Sequence, residues 1–302
     1  MIQTDVLNCG QGSVGTWFDG CKTTPKDYTK AFLLAPSVSI DLVSGTFNET
    51  TRATLIKSGK LIALNDILQI TEAGAKNNYQ TLPNKKKLFI SQGLLEFAME
   101  FEASPCLVKA LHKLTRKKWQ LLLLDSEGKL MFDNKGGQLN GFEVNLLDVD
   151  NESVNDGGSK IAMITLTAQL TQNGTKGYNE RRSFILDEAF YDINGVQDVT
   201  LSKVAGTTLD IASFKLNIVA GCDGSSLIVG LNTNIKVYNA TTGALVTGIT
   251  WADNGDGTYT PTGLTAIPVL IKLYDEANST PVVDIESTQF YQSNVLAVTL
   301  TD

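Results

Sequence analysis

The chain has 302 residues, 42% of them hydrophobic and 19% charged, a composition that fits a folded globular protein and excludes a disordered one. That length exceeds a comfortable single core and predicts two domains. A formal net charge of −7 disfavours a nucleic-acid binder working by phosphate neutralisation, and no apolar run approaches the ~20 residues of a membrane helix.

Residues 1–30 are rich in Gly, Thr, Lys and Asp and predict an irregular N-terminal arm that orders against a partner. Gly10-Gln11-Gly12-Ser13-Val14-Gly15 has the glycines of a dinucleotide loop, but no strand precedes it and no helix follows, so no cofactor is expected there. Met1-Ile2-Gln3-Thr4-Asp5 has no basic region leading into an apolar run, so no cleavable export signal is expected. Cys9 and Cys21 are close enough for one disulfide or half of a metal site, whereas Cys106 and Cys222 read as reduced, buried thiols.

Residues 31–195 read as a β domain. Leu95, Phe97, Met99 and Phe101 alternate with Glu96, Ala98, Glu100 and Glu102, predicting a strand with one acidic face. Ser104-Pro105 then supplies an N-cap and first helical residue, and Leu107, Ala110, Leu111 and Leu114 give a short amphipathic helix over 104–115. Lys109, Lys113, Arg116, Lys117 and Lys118 crowd its exposed side and C-terminal end, where cations suit the helix dipole. Trp119–Leu124 and Lys129–Phe132 read as a hairpin about Asp125–Gly128. Two further strands follow from the alternation of Phe142, Val144 and Leu146 and of Ile164, Leu166, Ala168 and Leu170, on either side of the polar loop Asp148–Ser159. The expectation is a sheet or barrel with a single helix packed on it.

Charge shifts near residue 195. Residues 200–302 hold four lysines (203, 215, 236, 272) against nine acids, a net of 4 − 9 = −5, while all four arginines precede them. Residues 196–302 predict about seven short strands, the pattern of an immunoglobulin-like β-sandwich without its Cys…Trp…Cys spacing. The turn Asn254-Gly255-Asp256-Gly257 between Trp251 and Tyr259 is the clearest local signal, and the two aromatics are expected to meet across it.

No catalytic, cofactor or metal constellation emerges, and an enzyme is not expected. His112 is the single histidine, so a multi-histidine metal site is excluded, and a lone histidine on a basic helix face reads as a surface residue. Asp148, Asp150 and Glu152 alternate like the start of a calcium loop, but Ser153 stands where glycine is needed. Asp253 and Asp256 have a turn role that already accounts for them. Lys85-Lys86-Lys87 and Arg116-Lys117-Lys118 read as solvated approaches to apolar strands, or as charges pairing with another subunit's Glu96, Glu100 and Glu102.

A β domain with one helix (Ser104–Thr115), a loop before a long hairpin (Asp148–Ser159) and an appended sandwich resembles the major tail tube proteins of tailed bacterial viruses. The segment Trp251–Tyr259 is similar to the hairpin of bacterial immunoglobulin-like domains in adhesins and viral tails. The resemblance implies a fold that is mainly β, with a barrel or sandwich at 31–195 and an immunoglobulin-like decoration at 196–302. It implies a self-assembling virion subunit, stacked in rings that are commonly sixfold and made in the bacterial host cytoplasm. Its partners would be itself and other virion proteins, with no membrane partner and DNA only as passing cargo in an acidic lumen. The arm 1–30 and the loop Asp148–Ser159 would bridge subunits. The alternatives are another virion ring, collar or capsid-associated protein, or a carbohydrate-binding adhesin module using Trp251, Tyr238 and Tyr274.

Overall fold

The computed structural model describes residues 27–41, 49–74, 77–91, 93–150, 162–185, 195–206, 209–220, 224, 226–286 and 289–301. The fold is mainly β, with 23 strands and three helices among the described residues. The chain divides into two compact units, Met1–Arg52 with Lys60–Asp192 and Ala53–Gly59 with Ile193–Asp302. Cys9, Cys21, Cys222, Glu152, Ser153 and the glycine-rich segment 10–15 lie outside the described residues.

The chain opens with β1 (Tyr28–Leu34), β2 (Ile40–Asp41), α1 (Glu49–Lys57), β3 (Leu61–Leu64) and β4 (Ile67–Ala73). Next come β5 (Asn78–Thr81), β6 (Lys87–Ser91), β7 (Glu96–Glu102), α2 (Pro105–Leu114), β8 (Gln120–Asp125) and β9 (Lys129–Lys135). The first unit ends with β10 (Gln138–Asn140), β11 (Phe142–Val149), β12 (Met163–Leu170), α3 (Gln172–Asn179) and β13 (Arg182–Ile185). Eleven strands form one sheet in the order β2-β10-β9-β8-β11-β12-β7-β4, with β1 joined to β8 and β3, and β13 joined to β9. Tyr28–Lys30, assigned to the arm on sequence, already pair with β8, because the Tyr28 ring packs edge-on against Phe97.

The sheet branches at β8. Its start pairs with β11 and its end with β9, while its other edge runs along β1. Leu121 and Leu123 enter the main core, and Leu122 and Leu124 are buried on the opposite face. Strand β7 alternates as its sequence requires, with Phe97, Met99 and Phe101 buried. In β11 the register shifts between Val144 and Leu146, a bulge that turns Leu146 outward (53% exposed) and buries Leu147 and Val149 instead.

Helix α2 is capped as its sequence implies, with the Ser104 hydroxyl accepting the Leu107 N–H at 3.2 Å. Cys106 departs from expectation. It is exposed on the first turn of α2, because that position faces away from the apolar stripe, and it is disulfide-bonded. Two helices beyond the expected one are present. Helix α3, Gln-Asn-Gly-Thr-Lys-Gly-Tyr-Asn, has poor intrinsic propensity and is held by tertiary packing. A Cβ on Gly174 would lie 2.3 Å from the Glu143 carbonyl oxygen, and one on Gly177 would lie 2.6 Å from the Asp133 carboxylate. Only glycines allow this approach. It seats Tyr178 edge-on between Phe97 and Phe142, each 5.2 Å away, with its hydroxyl donating to Glu72 at 2.5 Å.

The second unit contains β14 (Val196–Lys203), β15 (Leu216–Ala220), β16 (Ser226–Leu227), β17 (Ile235–Asn239) and β18 (Thr250–Asp253). It continues with β19 (Thr258–Thr262), β20 (Pro268–Leu273), β21 (Val282–Ile285), β22 (Gln289–Ser293) and β23 (Leu296–Thr299). A seven-stranded sheet, β18-β19-β15-β14-β22-β21 with β16 on β15, faces the three-stranded sheet β17-β20-β23 across one apolar core. The β18–β19 turn has Gly255 at φ +78° and Gly257 at φ +75°, as its glycines imply. The pairing sets Trp251 opposite Pro261 and Tyr259 opposite Asp253. The two aromatics are therefore diagonal neighbours in the core, not a facing pair.

Candidate functional site

Among the described residues, strands β5 and β6 pair only with each other. The tip between them is closed by the Leu82 N–H on the Lys86 carbonyl, with Lys85 at φ +63°. Tyr79 stands opposite Phe89, and their rings meet edge-on at 5.9 Å. Tyr79 is 52% exposed, Leu88 51%, Phe89 58% and Ile90 61%. Successive strand residues point to opposite faces, so both faces of this hairpin present bare apolar side chains. A free two-stranded hairpin is marginal in water, and exposed contiguous apolar surface marks an interaction site. Lys85, Lys86 and Lys87 are exposed at its tip.

A second surface is the outward face of β4, β7, β11 and β12. These strands contain six carboxylates and neither lysine nor arginine. Glu72 turns inward to Tyr178, whereas Glu96, Glu100, Glu102 and Asp148 lie on the face opposite the core. A polar cleft of about 770 Å³ lies beside it, lined in part by Asn78, Glu96, Glu143, Asn145, Gln169 and Thr171. Its polar groups are bonded to one another: Asn145 donates to Gln169 at 3.0 Å, and Gln169 donates to Glu96 at 2.6 Å. Lys135 donates to Glu143 at 2.9 Å and holds that carboxyl below its usual range, against the opposing effect of burial. A carboxyl so held suits an ion pair rather than a general acid.

No family model and no curated protein matches this chain.

The residues singled out on sequence fall in scattered places. His112 is exposed in the last turn of α2, where its carbonyl accepts from the Thr115 hydroxyl at 3.0 Å. Asp253 accepts from the Gly255 N–H at 2.8 Å and also bonds Gly230, while Asp256 accepts from the Thr258 N–H at 3.0 Å. Both carboxylates thus serve the turn. Trp251, a carbohydrate-binding candidate, is 6% exposed and belongs to the core, because it occupies an inward position of β18. Tyr238 and Tyr274 do come together on the outer face of β17–β20, with centroids 6.3 Å apart. The apolar hairpin was the signal missed: Leu88, Phe89 and Ile90 read as an ordinary strand until the pairing shows no other strand beside them among the described residues. No helix is long and apolar enough to cross a membrane among the described residues.

Proposed function

We propose that this protein is a virion structural protein, a self-assembling subunit of a bacteriophage tail tube with its sandwich unit displayed as an outward-facing decoration. The observation that carries the reading is the β5–β6 hairpin, which exposes large apolar side chains on both faces and needs a neighbour on each. Covering the exposed halves of Tyr79, Leu88, Phe89 and Ile90 removes on the order of 400 Å² of apolar surface, about 10 kcal/mol before the costs of association. A contact between different patches of identical subunits propagates head to tail into rings or filaments. The outward carboxylates of β7 and β11, on strands that with β4 and β12 contain no lysine or arginine of their own, support the same reading. Lining a channel, these carboxylates repel phosphate, so DNA passes without sticking.

The test is sedimentation of the full-length chain beside the double substitution Phe89→Asp and Ile90→Asp. The wild type is expected to form species heavier than its 32.6 kDa monomer. The variant should stay monomeric with an unchanged Tm, since neither side chain is buried in the subunit. A wild type that stays monomeric at high concentration, or a variant that assembles equally well, counts against the proposal.

A further inference from the structure

Residues 200–302 carry four lysines against nine acids. Two of those lysines, Lys236 on β17 and Lys272 on β20, stand directly opposite each other. Such a register brings the two Cβ atoms to about 5 Å, and like charges so placed oppose folding. Neither lysine has an ion-pair partner among the described residues, although this unit is rich in carboxylates. Lys272 is held by aromatic rings instead, its Nζ 4.4 Å from the Tyr238 centroid and 4.5 Å from that of Tyr274. The Tyr238 hydroxyl donates to Glu276 at 2.9 Å, which fixes that ring, while the Tyr274 hydroxyl has no partner among the described residues. Ile235, Val237, Ile271 and Leu273 point into the core, so the lysines and tyrosines share the outer face of the three-stranded sheet.

We infer that this face binds an acidic polysaccharide. One carboxylate or sulfate of the polymer sits between the Lys236 and Lys272 ammonium groups and relieves their repulsion. A sugar ring lies against Tyr274 and bonds its hydroxyl. The open sheet face suits a polymer better than a small enclosed ligand. The unit's excess of carboxylates repels a densely charged phosphate chain more strongly than a polymer with one anion every sugar or two. This site is independent of the assembly reading, since it uses no residue of the β5–β6 hairpin.

Alginate, neutral dextran and a duplex DNA fragment are the probes, each titrated against the immobilised full-length protein in low salt. Alginate is expected to bind and dextran and DNA not to. The double substitution Lys236→Gln and Lys272→Gln should weaken alginate binding at least tenfold without lowering Tm, and Tyr274→Ala should weaken it several-fold. Absence of alginate binding, equal binding of DNA, or full retention of binding by the Lys236→Gln/Lys272→Gln variant would overturn the inference.

Discussion

Replacing Gly174 by alanine is expected to destabilise the first unit by about 3 kcal/mol, near the upper end of the overpacking range. The new Cβ would meet the Glu143 carbonyl oxygen at 2.3 Å and the Glu143 nitrogen at 3.0 Å. These are backbone atoms of β11, so no side-chain rotation relieves the clash, and helix α3 must lift off the sheet. Lifting it withdraws Tyr178 from between Phe97 and Phe142 and breaks its hydroxyl bonds to Tyr28 at 2.6 Å and Glu72 at 2.5 Å. It also takes away the Thr175 hydroxyl that accepts the Leu95 N–H at 3.3 Å. Burial, together with the Glu72 contact, raises the Tyr178 phenol far above its ordinary range, and burial lifts Tyr28 to about 12, so both stay neutral hydrogen-bonding groups at any physiological pH. For a unit of this size the expected loss in Tm is roughly 6–12 °C. Gly74→Ala is the matched control, since its Cβ meets nothing within 4 Å. Differential scanning calorimetry of the two variants checks the contrast, and equal thermograms would refute the packing account of α3.

Replacing Lys57 by methionine is expected to cost the second unit about 2–3 kcal/mol at neutral pH. Lys57 lies in Ala53–Gly59, the short segment that clusters with Ile193–Asp302. Its Nζ is 2.8 Å from Asp275 and 2.5 Å from Asp284, and the Thr280 hydroxyl donates to its carbonyl at 3.0 Å. The three charged side chains are only 11%, 15% and 21% exposed, so removing the ammonium leaves two carboxylates with little water to replace it. Burial alone would lower the Lys57 pKa, but its bonds to Asp275 and Asp284 outweigh that and raise it. Burial likewise opposes the ionisation of Asp275, yet Lys57 and Asn278 bring its pKa down from 3.8 to about 2.

The pH dependence follows from these directions. Asp275 titrates lower in the fold than unfolded, so its contribution is complete above about pH 4 and is lost as pH falls toward 2. Lys57 titrates higher in the fold, so its contribution is present below 10.5 and is lost only as pH rises through the raised value. Urea denaturation of wild type and Lys57→Met across this range should therefore show a gap that is widest near neutrality and narrows on acidification below pH 4. A gap independent of pH would show that Lys57 acts through packing alone.

Local signals in the sequence were legible where one element decides its own form. Strand β7 alternates without fault, Ser104 and Pro105 start α2, and Asn254–Gly257 turns β18 into β19. The rest depends on partners distant in the chain. Helix α3 has two glycines and no apolar stripe, and it exists because β9 and β11 leave room for it. Helix α1, Glu-Thr-Thr-Arg-Ala-Thr-Leu-Ile-Lys, also lacks a clear stripe, and its end is fixed by Asp275 and Asp284, more than two hundred residues away. Leu146 faces outward because of a bulge that alternation cannot foresee. The same limit applied to the candidate surfaces. Glu96, Glu100 and Glu102 were visible as an acidic face, but the absence of any base on the flanking strands emerged only once β4, β11 and β12 were placed beside β7. Strand pairing likewise brought Lys236 opposite Lys272, and among the described residues it set no further strand beside Leu88, Phe89 and Ile90.

Electron microscopy of the concentrated full-length protein tests the central claim most directly. Rings or tubes with a central channel, in which the carboxylates of β7 line the channel and the β5–β6 hairpin lies between subunits, are the predicted result. Particles that remain single subunits at every concentration, or assemblies in which the β5–β6 hairpin stays exposed, would contradict it.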